Sequence, residues 1–86
     1  MNSKIIDTLV QNSSSEDFPR NNNIEVYIVD ENTGDVYHFF PGKYNMVRTA
    51  SEAFLNNEPH LKDREVRAIN RTDDLINLTS TFYLYI

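Results

Sequence analysis

Apolar residues first recur with a helical rhythm at Ile5, Ile6, Leu9 and Val10, one stripe of a helix over 3–11 with Ser3 or Asn2 as its cap. So short a helix needs tertiary support. The segment "NSSSEDFPRNNN", 12–23, loses the rhythm, and its Ser, Asn and Pro content marks a loop that Phe18 can pin. The pattern then turns β-branched and aromatic in "IEVYIV", 24–29, and "VYHFF", 36–40, as strands prefer.

Between these strands lies "DENTGD". A calcium loop of the EF-hand kind needs oxygen ligands at positions 1, 3 and 5, glycine at 6 and glutamate at 12. Counted from Asp30, position 5 is Gly34, position 6 is Asp35 and position 12 is Pro41, so the spacing fails. A tight hairpin fits instead: Asn32 and Thr33 suit a type I turn, and Gly34 supplies the positive φ that closes it. That turn sets Val29 opposite Val36 and Ile28 opposite Tyr37. One face then carries Ile24, Val26, Ile28, Tyr37 and Phe39; the other carries Glu25, Tyr27, Val29, Val36, His38 and Phe40.

"PGKYN" breaks the second strand at Pro41 and Gly42. A main helix is expected over 45–56, capped by Asn45, with Met46, Val47, Ala50, Ala53 and Phe54 as its apolar stripe. "EVRAIN", 65–70, reads as a third strand with Val66 and Ala68 on one side, and "RTDD" as a turn or the cap of a short helical turn. "STFYLYI" is the clearest strand: Phe82, Leu84 and Ile86 point one way, Thr81, Tyr83 and Tyr85 the other. The expected architecture is one α+β domain over 1–86 in the order α-β-β-α-β-β. It is a small antiparallel four-stranded sheet with two helices on one face.

Two short helices cover one face of such a sheet and leave the other presenting Tyr27, Val29, Val36, Phe40, Tyr83 and Tyr85. A half-exposed antiparallel sheet ordinarily alternates apolar inside with polar outside. Contiguous apolar patches on small proteins mark interfaces, and tyrosine-rich ones are typical of protein–protein contacts. A dimer mate, a partner protein or the loop 12–23 must shelter this face. An uncharged terminal strand left at an edge would also favour pairing across a two-fold axis, and hence a homodimer.

Composition narrows the chemistry. The 86 residues hold no cysteine, which removes disulfides and thiolate chemistry, and only two glycines, too few for a glycine-rich phosphate cradle. His38 and His60 lack a diagnostic neighbour for catalysis or metal ligation, and no ligand spacing links His60 with Glu58 and Asp63. No enzyme activity, cofactor or metal is expected. No segment is long and apolar enough to span a bilayer, so a cytoplasmic protein with no membrane contact is expected.

The net charge of −5 resides wholly in residues 1–42, and the hairpin tip is its most acidic point. The bases Lys62, Arg64, Arg67 and Arg71 are interleaved with acids, which disfavours direct nucleic-acid binding; they can instead meet the acidic tip of a second copy. The composition resembles that of accessory proteins of phages and mobile elements, which implies an inhibitor that blocks a host enzyme or defence protein. Tyr27, Phe40, Tyr83 and Tyr85 are the expected contact residues, and Asp30, Glu31 and Asp35 the steering charges. A DNA mimic and a single-strand nucleic-acid binder are the alternatives.

Overall fold

A computed structural model describes residues 3–86 of the chain. Its elements are helix α1 (Lys4–Ser13), strands β1 (Asn23–Val29) and β2 (Val36–Gly42), helix α2 (Val47–Asn57), and strands β3 (Ala68–Asp74) and β4 (Thr79–Tyr85). Short 3₁₀ turns at Tyr44–Met46 and Pro59–Leu61 flank α2. The α+β order is as expected, and both helices lie on one face of a four-stranded sheet.

The sheet is mixed, not purely antiparallel. Its order is β2-β1-β4-β3, with antiparallel hairpins β1–β2 and β3–β4 joined through a parallel β1–β4 pair. The reason is the crossover: β2 and β3 run the same way at opposite edges, and only a connection carrying a helix spans that distance. The two strands with the most buried positions therefore meet at the centre. Ile24, Val26 and Ile28 of β1 and Phe82, Leu84 and Ile86 at β4 are buried beneath Ile5, Ile6 and Leu9 of α1 and Val47 and Leu55 of α2. The terminal strand β4 is no edge; it is paired on both sides, so edge pairing offers it no route to a homodimer.

Register within the first hairpin is as read, Val29 against Val36 and Ile28 against Tyr37. Past Val26 an extra residue enters β2, so the strand runs through Pro41 to Gly42 by way of a bulge instead of breaking at Pro41. An edge strand tolerates this, because proline's missing N–H falls where no ladder bond is needed.

Other expectations shift. Ser3 holds the N-cap position of α1, but its hydroxyl makes no capping bond; Asn2 lies outside the described residues. Asn45 sits inside the 3₁₀ turn and does not cap α2, and the buried positions of that helix are Val47, Ser51 and Leu55, with Phe54 partly buried and Met46 and Ala53 turned outward. The third strand starts at Ala68 and takes in the whole of "RTDD". Val66, outside the strand, packs on the core, while Ala68 opposes Tyr85 and faces away from it. Acids are accepted in β3 because it is an edge, and its inner face is held by polar bonds. Arg71 lies 5.5 Å from the Phe18 ring centre and pairs with Asp73 at 3.2 Å and Asp17 at 3.4 Å; Ser80 donates to Asp73 at 2.8 Å.

The loop before β1 packs on the helical side. Phe18 is buried and stacks on Phe82 with ring centres 5.9 Å apart, so residues 14–22 seal the core and leave the opposite face bare.

The two hairpins share a turn design. Asp30 accepts the amides of Asn32 and Thr33 at 3.0 and 3.3 Å, and Gly34 follows at φ +80°. Asp74 accepts the amides of Ile76 and Asn77 at 3.0 and 2.9 Å, and Leu78 follows at φ +54°. In both, an aspartate nucleates the turn and the fourth residue after it adopts the left-handed conformation. The second turn places there a leucine, whose Cβ crowds the following carbonyl.

Two substitutions should therefore move stability in opposite directions. Gly34→Val should cost about 1–2 kcal/mol in denaturant unfolding, for conformational reasons alone, since nothing lies within 4 Å of a Cβ added there. Leu78→Gly should gain up to about 1 kcal/mol in the same measurement.

Candidate protein-binding face

The face opposite the helices takes its side chains from alternate positions of the four strands. At one level His38, Tyr27, Tyr83 and Asn70 stand side by side across β2, β1, β4 and β3. The neighbouring level holds Val36, Val29, Tyr85 and Ala68. Among the described residues neither helix nor loop lies over them, and Phe40 and Val36 are 67% and 58% exposed.

The rings form a continuous stack. Tyr27 lies 4.1 Å from His38 with planes 4° apart, and 5.0 Å from Tyr83 with planes 7° apart; Phe40 meets His38 edge-on at 4.5 Å. Both faces of the Tyr27 ring are thus occupied by neighbouring rings. What the stack presents outward is ring edges and hydroxyls, a surface suited to a protein partner and poorly suited to a flat base.

Polar bonds hold the stack in place. Glu25, one step along β1, accepts from His38 Nε2 at 3.1 Å and from Thr81 Oγ1 at 3.2 Å. Because a carboxylate only accepts, Nε2 carries the hydrogen in that bond. Partial burial, then the charge of Glu25 and the neighbouring Tyr83, push the Tyr27 phenol above its ordinary 10.0, so it stays a neutral hydroxyl donor near pH 7. The open-face strand positions include Glu25 and Asp74 but no lysine or arginine.

All four expected contact residues, Tyr27, Phe40, Tyr83 and Tyr85, share this face. The expected steering charges are arranged differently. Asp30 is only 5% exposed: besides the turn amides its carboxylate accepts from Arg64 Nη1 at 3.0 Å. Glu31 pairs with Arg67, and Asp35 stays exposed with a bond from Thr33 Oγ1 at 3.0 Å. Arg64 and Arg67 of the basic segment therefore meet the acidic tip of their own chain. The reason is proximity: Arg67 N bonds to Tyr85 O, and Glu31 N to Ile86 O, which brings the start of β3 beside the first turn.

His60 takes part in a different contact on the helical side, its Nε2 2.9 Å from the Tyr37 hydroxyl and 3.6 Å from Glu58. Reading by sequence missed one group of exposed residues, Leu75, Ile76 and Leu78, now at the tip of the β3–β4 turn. Their signal was present: three large aliphatics between Asp74 and Thr79, where a turn needs none.

The Arg64 guanidinium, ahead of the turn amides, holds the Asp30 carboxyl below its ordinary 3.8. A lowered folded value means stabilisation present above 3.8 and lost as pH falls through the folded value. Asp30→Asn keeps the turn acceptor but loses the ion pair. It should melt below the wild type at pH 7, and the gap should close as the pH is taken below 3.8; identical melting at pH 7 would show that the pair adds nothing. No protein-family model matches the chain, and no curated protein or solved structure is significantly similar to it.

Proposed function

We propose that this chain is a non-enzymatic protein-binding module that docks its open sheet face on a cellular protein and blocks the covered surface sterically. One observation carries the reading: the aromatic stack His38–Tyr27–Tyr83, with Tyr85, Val29, Val36 and Phe40 around it, is contiguous and covered by no other part of the described chain. Fully ordered tyrosines lose little conformational entropy on contact and bury a large area, which is why they dominate such interfaces.

The same geometry weighs against the two nucleic-acid alternatives. A single-strand binder needs free ring faces and cations beside them. Here Tyr27 has neighbours on both faces, Arg67 is tied to Glu31, and Arg71 lies over Phe18 on the far side of the sheet. A DNA mimic needs unpaired carboxylates in rows, whereas Asp17, Asp30, Glu31 and Asp73 are each paired with an arginine of the same chain.

The test is capture from the native cell with wild-type chain and with a Tyr83→Ser/Tyr85→Ser variant, compared by quantitative mass spectrometry. A partner should be retained by the wild type at roughly 0.5 M salt, where exposed charge pairs are screened, and its recovery should fall at least tenfold with the variant, which circular dichroism should show still folded although the lost ring stack lowers its melting temperature. Equal recovery on both would remove the sheet face from the interaction.

A further inference from the structure

The exposed aliphatics of the β3–β4 turn adjoin a hollow that matches them. The turn projects Leu75, Ile76 and Leu78, which are 67%, 93% and 46% exposed. It is held in shape by Asp74, which accepts two backbone amides and the Asn77 side-chain amide at 2.8 Å, and by Leu78 O, which accepts from Asn23 N at 2.8 Å. The tip is thus preformed, and association need not order it. Beside it, on the open face, a hollow of about 330 Å³ is lined by Asn23, Ile24, Glu25, Phe40, Gly42 and Thr79. The Glu25 carboxylate at its border is already satisfied by His38 and Thr81.

The sequence of the turn contains a choice that folding does not explain. Its counterpart in the first hairpin uses Gly34 at the left-handed position, while this turn keeps Leu78 there, at φ +54° and half exposed. Neither the strain nor the exposed side chain serves the monomer; strain held in this way tends to mark a functional surface.

We infer that the tip and the hollow are the two halves of a homodimer contact, each copy inserting Ile76 into the hollow of the other. Because tip and hollow adjoin on one chain, a single two-fold axis beside them satisfies both insertions, and the assembly closes at two copies. Burying the exposed parts of Phe40, Leu75, Ile76 and Leu78 in both copies removes on the order of 1,000 Å², where specific interfaces begin. This contact differs from edge-to-edge strand pairing, which the central position of β4 rules out for the terminal strand. It does not rest on the partner reading above; it takes Phe40 from the partner face and leaves Tyr27, Tyr83, Tyr85 and Val36 open.

Sedimentation of the full chain over a wide concentration range tests it. A species of twice the 10.0 kDa chain mass should form reversibly. Ile76→Ser, on the tip, and Thr79→Trp, filling the hollow, should each raise the dissociation constant at least tenfold with the circular dichroism spectrum unchanged; should one of them unfold, the other carries the test. Leu78→Gly should weaken the dimer while raising the melting temperature of the dilute, monomeric chain, a divergence that a purely structural role would not give. Tyr83→Ser/Tyr85→Ser should leave the dimer intact. A 10.0 kDa species at every concentration overturns the inference, as does a dimer indifferent to Ile76→Ser and Thr79→Trp, or one abolished by the tyrosine variant. A dimer that behaves as stated alongside a failed partner capture would overturn the partner reading alone.

Discussion

A sheet has two faces, and this chain supplies one layer of cover. Among the described residues, the large apolar side chains that the fold buries most completely form one core between the sheet and that layer: Ile5, Ile6 and Leu9 from the first helix, Leu55 from the second, Leu61 just after it, Ile24, Val26, Ile28, Phe82 and Leu84 from the two central strands, and Ile86. With the helices and the Phe18 loop on that side, no other described element lies over the opposite face. The aromatic row stands bare there because β4 alternates Phe and Leu inward with Tyr outward and has apolar residues on both sides. Rings stacked across three strands withdraw part of their own surface from water, which is how a small domain carries such a face without a partner present.

Charge is also organised within the chain. The turn after β1 gathers three acids, and the approach to β3 brings Arg64 and Arg67 beside it, so the acidic tip is braced from within. Asp30 serves twice, as acceptor for two turn amides and as partner of a guanidinium, and this explains its near-complete burial. Ion pairing keeps the arginines off the open face, whose outward chemistry is accordingly hydroxyl, ring edge and aliphatic. These are surfaces that a protein partner matches by shape more than by charge.

The two hairpins show how a single local device supports different ends. In each, an aspartate carboxylate collects two amides and the fourth residue after it turns left-handed. The first turn ends in a glycine and is tied down by arginines, a stable closure for the sheet. The second ends in a leucine and stands clear of the fold with its aliphatic side chains in water. Local strain and solvent exposure coincide at Leu78, beside the hollow under Phe40. Such a coincidence is expected where a surface is shaped for contact and stability is secondary.

By itself the sequence determined everything that depends on neighbours along the chain. The first helix, the turn around Gly34, the register it imposes and the partition of Tyr27, Phe40, Tyr83 and Tyr85 onto one face all follow from periods of two and of about 3.6 and from one residue's tolerance of positive φ. That partition holds whichever strands become neighbours, and so the candidate face was legible before the fold was. The tertiary structure decided what depends on distant partners. Among these are the parallel β1–β4 pair, the bulge that carries β2 through Pro41, the acceptance of "RTDD" as an edge strand, and the capture of Asp30 by Arg64 thirty-four positions away. No local signal distinguishes an acid destined for an edge strand from one destined for a turn, because the two differ only in which other strand arrives beside them.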